Sequence, residues 1–122
     1  MKTQPILYAI PNCDTVKKAR AWLAQQDVSY TFHDYKKQGV PEVALNTAMQ
    51  QLGWERLLNR AGPTWRKLPD ETKASVVNAE TALAVMRAHS SVIKRPLLEV
   101  NGTYEAGFTE ARYGELLKPQ NY

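Results

Sequence analysis

The chain has 122 residues, 43% hydrophobic and 23% charged, with a single cysteine. That length supports one domain with its own hydrophobic core, while one cysteine excludes an internal disulfide framework and no Cys/His spacing resembles a metal site. The formal charge of +4 and a pI near 9.3 favour anions at the surface, but no dense basic stripe with interleaved aromatics appears, which argues against nucleic acid as a partner.

The N-terminus offers Lys2 and then an apolar run from Ile6 to Ile10, too brief for a signal peptide or a membrane span. With no disulfide pair, this sets the cytoplasm as the expected location and excludes a membrane partner. Residues 5–10 alternate loosely and stop at Pro11, which reads as a first strand. From Thr15 to about Gln26 the spacing turns helical, with Val16, Ala19 and Leu23 on one face. Val28 to Tyr35 reads as a second strand, closed by Lys36-Lys37-Gln38-Gly39. Strand, helix and strand in so short a span make a βαβ unit, with its strands parallel.

A largely helical stretch follows. Pro41 opens a helix at its first position, and Val43, Leu45, Ala48, Met49 and Leu52 carry its apolar side up to Gly53. Trp54 to Asn59 reads as a short helical piece, Gly62-Pro63 as a break, Thr64 to Leu68 as a loop or turn, and Pro69 to Val77 as another short helix. Asn78 caps the next helix, Ala79 to Ala88, with Ala82, Leu83 and Met86 inward. Residues 96–100 and 103–106 then flank Asn101-Gly102, a strong hairpin signal. Thr109 caps a last helix through about Leu117, with Pro119 after it. The whole is expected to be a single domain over 1–122, βαβ then ββα, with a helical insertion at about 41–90.

Cys13 stands at the first strand-to-helix turn, where unpaired backbone N–H groups and the positive end of the helix dipole favour thiolate over thiol. A free thiol ionises near pH 8.5, and such positions bring that to roughly 3.5–7.5. Free cysteines also serve as inert buried residues. The turn and cap formers Pro11, Asn12, Asp14 and Thr15 argue for the reactive reading, because they set the thiol at a junction rather than on an apolar face. Asn12 and Thr15 are candidates to hydrogen-bond there, and equally serve as turn and cap residues. A dithiol of the C-x-x-C type needs a second cysteine at Val16, so any disulfide must be mixed and an outside thiol must resolve it. A tyrosine-phosphatase loop needs an arginine where Ala19 stands, which excludes that chemistry. His33 and His89 have no partner legible from sequence.

The element order, Tyr8-Ala9-Ile10-Pro11-Asn12-Cys13-Asp14-Thr15-Val16-Lys17-Lys18-Ala19, His33-Asp34-Tyr35, Leu52-Gly53-Trp54, the stretch from Leu58 to Leu68 and Ile93-Lys94-Arg95-Pro96-Leu97-Leu98 together resemble the ArsC/Spx family, in particular its YffB-like branch. The resemblance spans nearly the whole chain. It implies a thioredoxin-like α/β fold with a four-stranded mixed sheet, a cis Arg95–Pro96 bond beside Cys13, Cys13 as nucleophile, and Arg95 and Arg66 as anion clamps. A third family arginine is expected after the last hairpin, where Ala106-Gly107-Phe108 stands. The activity implied is that of a glutathione-linked thiol reductase, with glutathione as co-substrate, glutathione or a glutaredoxin as partner, and a disulfide or small oxyanion as substrate. Arsenate reduction is the alternative. A Spx-like regulator that binds RNA polymerase is a further one, which Val16 disfavours because such switches usually carry a C-x-x-C pair.

Overall fold

The computed structural model describes residues 4–117, so Lys2 and Pro119 lie outside the described residues. The chain divides into two compact units, one made of the residues up to His33 and from Arg95 onward, the other of Asp34–Lys94.

In the first unit, β1 (Ile6–Ala9) leads into α1 (Asp14–Gln25), and β2 (Thr31–Asp34) follows. β3 (Leu97–Val100), β4 (Thr103–Ala106) and α7 (Glu110–Leu117) complete it. The mixed sheet has the order β2-β1-β3-β4, with β1 antiparallel to β3 and β3 antiparallel to β4. This is the thioredoxin-like arrangement expected from the sequence. Register places Leu7 opposite Leu98, and both pack with Val100 against Ala19 and Leu23 of α1 and Tyr113 of α7. Alternation along β1 and β3 is what delivers these side chains to one face.

Asn101 and Gly102 both take positive φ, +50° and +86°, the geometry of a tight two-residue hairpin turn. α1 ends in a Schellman motif: Asp27 sits at φ +60°, Val28 N–H donates to the Leu23 carbonyl at 3.0 Å, and Asp27 N–H to that of Ala24 at 3.1 Å. That motif and Asp34 shorten the expected Val28–Tyr35 strand to Thr31–Asp34. The Asp34 carboxylate accepts from the N–H groups of Lys36 at 2.8 Å and Lys37 at 3.3 Å, and so turns the chain helical at Tyr35.

The second unit contains α2 (Tyr35–Gln38), α3 (Glu42–Leu52), α4 (Pro63–Arg66), α5 (Asp70–Ala74) and α6 (Ala79–Ala88), with short 3-10 turns at Trp54–Leu57 and Ser90–Val92. α3 packs on α6 and on the first 3-10 turn, with Leu45, Ala48, Met49, Ala82, Leu83 and Met86 buried as expected. Asn78 caps α6 in a complete capping box with Thr81. Four local expectations need correction. Val43 is 82% exposed, because it lies about 200° around the helix from Leu45. Pro41 is the N-cap of α3 rather than its first residue. Pro63 starts α4 instead of ending order, since a proline at the first helical position loses no hydrogen bond there. Past Leu57 the chain is not helical, because Leu58 bridges to Ile93, and Asn59 N–H and Lys94 N–H donate to the carbonyls of Val92 and Leu57 at 2.8 and 2.7 Å.

Candidate active site at the start of the first helix

Pro11 and Asn12 form an exposed turn after β1, and Cys13 is the N-cap of α1 with extended dihedrals, φ −121° and ψ 131°. Its carbonyl accepts the first helical bond from Lys17 N–H at 2.9 Å, while its side chain is free to face the unpaired amides of the first turn. The thiol is free and half-buried. Partial burial pushes its pKa up. Hydrogen bonds from the N–H groups of Val16 and Thr15, then a hydrogen bond and charge attraction from the Arg95 guanidinium, outweigh that and hold the thiol below its ordinary value.

Arg95 reaches this position from two residues before β3. The Arg95–Pro96 bond is cis, and Pro96 is fully buried at the strand start. Gly107 N–H donates to the Pro96 carbonyl at 2.8 Å, and the buried Tyr113 hydroxyl donates to the Gly107 carbonyl at 2.9 Å. A chain of hydrogen bonds thus runs from α7 through the 106–108 segment to Pro96. Phe108, where the third family arginine is expected nearby, stacks edge-on against Tyr113 at 4.8 Å and joins the core cluster. Ala106-Gly107-Phe108 therefore provides a brace and no charge.

The structure brings Cys13, Arg95 and Pro96 into one part of the first unit, with Thr15 contributing its backbone N–H; the Thr15 and Asn12 side chains are exposed. Arg66 belongs to the second unit, exposed at the end of α4, where its carbonyl accepts from Lys73 Nζ at 2.9 Å. Sequence reasoning missed the Val16 amide and the Gly107 brace. Both act through backbone atoms, which leave no mark in residue type except the permissive glycine, at φ +87°.

On the sheet face opposite α1, Tyr8 Oη donates to Glu99 Oε1 at 3.0 Å, and the Tyr8 ring lies tilted against that of His33 with centroids 5.1 Å apart. Burial and then the Glu99 carboxylate push the Tyr104 phenol up to about 12, and burial with the same carboxylate pushes Tyr8 still higher. Both phenols are therefore neutral donors at physiological pH. Among the described residues, no group of three or more His, Cys, Asp or Glu is placed to hold a metal ion, and no helix is long and apolar enough to cross a membrane.

Comparison with known proteins agrees with the fold described above. A sequence model of the ArsC family matches residues 8–116. An uncharacterised protein of Haemophilus influenzae is 40% identical over 107 residues, covering 88% of this chain and 93% of its own. The global transcriptional regulator Spx of Staphylococcus aureus is 21% identical, over 85% of this chain and 79% of its own. Among solved structures, the YFFB protein is 43% identical with a TM-score of 0.89, over 93% of this chain and 99% of that one. An arsenate reductase-related protein of Brucella melitensis is 44% identical with a TM-score of 0.71, over 96% and 97%.

Proposed function

The chain belongs to the ArsC family, and from that premise we propose that it is a glutathione-linked thiol reductase in which Cys13 is the sole nucleophile. The observation that carries this reading is the half-buried Cys13 sulfur, held toward the thiolate by the first-turn amides and by Arg95.

Ionised sulfur is the attacking species in thiol–disulfide exchange, and a low pKa also makes Cys13 a good leaving group when the mixed disulfide is resolved. In the first step, the Cys13 thiolate attacks the glutathione sulfur of a glutathionylated substrate. A Cys13–glutathione disulfide forms and the substrate sulfur leaves as a thiolate. In the second, the thiolate of a free glutathione, having lost its proton to solvent, attacks the glutathione sulfur of that adduct. Oxidised glutathione leaves, and the Cys13 thiolate is restored. Over the two steps, the substrate–glutathione disulfide and one free glutathione thiolate become the substrate thiolate and oxidised glutathione, with no net change at Cys13. Val16 stands where an internal resolving thiol would be needed, so the second step requires an outside one. Glutathione or a glutaredoxin fills that role, and Arg95 holds the carboxylate or oxyanion of whatever approaches the sulfur.

Arsenate reduction is the second reading, favoured by the Arg95 guanidinium at the sulfur. It is weakened by the uncharged 106–108 segment, because each charge-assisted contact to an oxyanion is worth roughly 1.5–3 kcal/mol. Mass spectrometry of the protein incubated with oxidised glutathione decides the first reading: a single adduct of glutathione on Cys13, removed by reduced glutathione, is expected. An unmodified protein sinks it. Glutathione-dependent turnover of arsenate, lost in Cys13→Ser, would establish the second reading instead.

A further inference from the structure

The unit Asp34–Lys94 carries a concave site of its own, which contains neither Cys13 nor Arg95. A cleft of about 580 Å³ is lined by α2, the 39–42 connection into α3, Thr64 of α4 and the 87–91 segment at the end of α6. That volume lies within the roughly 300–1,000 Å³ typical of small-molecule sites. Its lining is of two kinds. The buried Tyr35, with Val40 and Ala88, offers an apolar wall. The rest is polar and predominantly donating.

Lys36 Nζ donates to Ser91 Oγ at 3.2 Å, which engages one of the three N–H bonds of an ammonium. Arg87 is bound along one edge only: Nε donates to Glu42 Oε2 at 2.9 Å and Nη2 to Oε1 at 2.8 Å. This fork fixes the guanidinium plane and leaves its Nη1 edge for another acceptor. Glu42 offsets the charge of Arg87, so the charge of Lys36 is the surplus of the cleft. Hydroxyls of Thr64 and Ser90 and the imidazole of His89 complete the lining.

We propose that this cleft binds a small organic phosphate monoester, with the phosphoryl group on Lys36, the Nη1 edge of Arg87 and the serine hydroxyls, and the organic part against Tyr35 and Val40. A phosphate monoester presents three terminal oxygens in a tetrahedral array, which can use an ammonium, a guanidinium and a hydroxyl arriving from separate elements. A planar carboxylate has only two oxygens for the same set. The apolar wall gives the ester an advantage over the inorganic ion, and the pairing of Glu42 with Arg87 removes the charge that would repel either.

The test is a titration of the 15N-labelled protein, followed by amide chemical shifts, with inorganic phosphate, with glycerol 3-phosphate, and with sodium chloride at matched ionic strength. Saturable shifts centred on Lys36, Gly39, Ser90 and Ser91 are expected with both phosphates, tighter for the ester, and absent with chloride. Lys36→Gln should weaken binding about 10- to 100-fold, as loss of one charge-assisted contact implies, and Ser91→Ala less. The spectra of the two variants report directly that each remains folded. No saturation up to about 10 mM, an affinity unchanged in Lys36→Gln, or shifts confined to residues around Cys13 and Arg95 would each overturn the proposal.

Discussion

The Cys13 sulfur is subject to opposing influences whose balance can be moved one residue at a time. Burial raises its pKa, and the Val16 and Thr15 amides together with Arg95 lower it further than burial raises it. Arg95→Met keeps most of the side-chain length and removes the charge and its donors. Alkylation by iodoacetamide at pH 7 is expected to slow several-fold, with the midpoint of the rate–pH curve moving up toward the free-thiol value of about 8.5. An unmoved midpoint would mean that the guanidinium does not act on the sulfur. The same depression links stability to pH. Between the folded and unfolded pKa values the unfolded state binds more protons, so stability rises with pH there. The thiolate's contribution is complete above the unfolded value, near 8.5, and is lost as pH falls through the folded one. Urea midpoints of wild type minus Cys13→Ser should accordingly climb with pH up to about 8.5 and then level; a flat difference would show an unperturbed thiol. Cys13 could be singled out from its letter and its place at a helix start, and Arg95 through the family resemblance, because the chemistry of both resides in side chains. The Val16 amide and the Gly107–Pro96 bond were not, because any residue other than proline supplies the same N–H.

Among elements, the turns written in special residues were the most readable. Asn101-Gly102 demanded two positive φ values and obtained them, and Asn78 demanded a helix start. Gly102 has open space where a Cβ would project, so Gly102→Ala tests backbone conformation alone. It should cost about 1–2 kcal/mol in urea unfolding while leaving Cys13 alkylation at the wild-type rate. Asn78→Ala removes the oxygen that accepts from Thr81 N–H at 2.9 Å and should cost about 1 kcal/mol. A null result in either would mean that the loop relaxes to another turn or that water replaces the cap. What was not legible were signals that carry two meanings. Pro63 ends one pattern and begins α4, and Asp34 is at once the last strand residue and the cap of α2. Leu58 is paired not with a sequence neighbour but with Ile93, a partner that no local window contains.

The whole molecule adds what no single contact supplies, a net positive field. With a formal charge of +4 and a pI near 9.3, the chain attracts anions from solution before any docking occurs. Oxidised glutathione is a net anion at neutral pH and iodoacetamide is uncharged, so the two reagents separate long-range steering from the intrinsic reactivity of one sulfur. Salt shortens the screening length from about 10 Å at 0.1 M to about 3 Å at 1 M. The second-order rate of Cys13 glutathionylation at fixed pH should therefore fall as sodium chloride rises from about 0.1 to 1 M, while the iodoacetamide rate stays level. Arg95→Met should lower the glutathionylation rate at every salt concentration without abolishing its salt dependence, because the remaining cations still supply the field. If both reagents slowed equally, salt would be acting on the thiolate itself, through the amides and guanidinium that hold it ionised, and the charge of the molecule would have no part in bringing substrate to it.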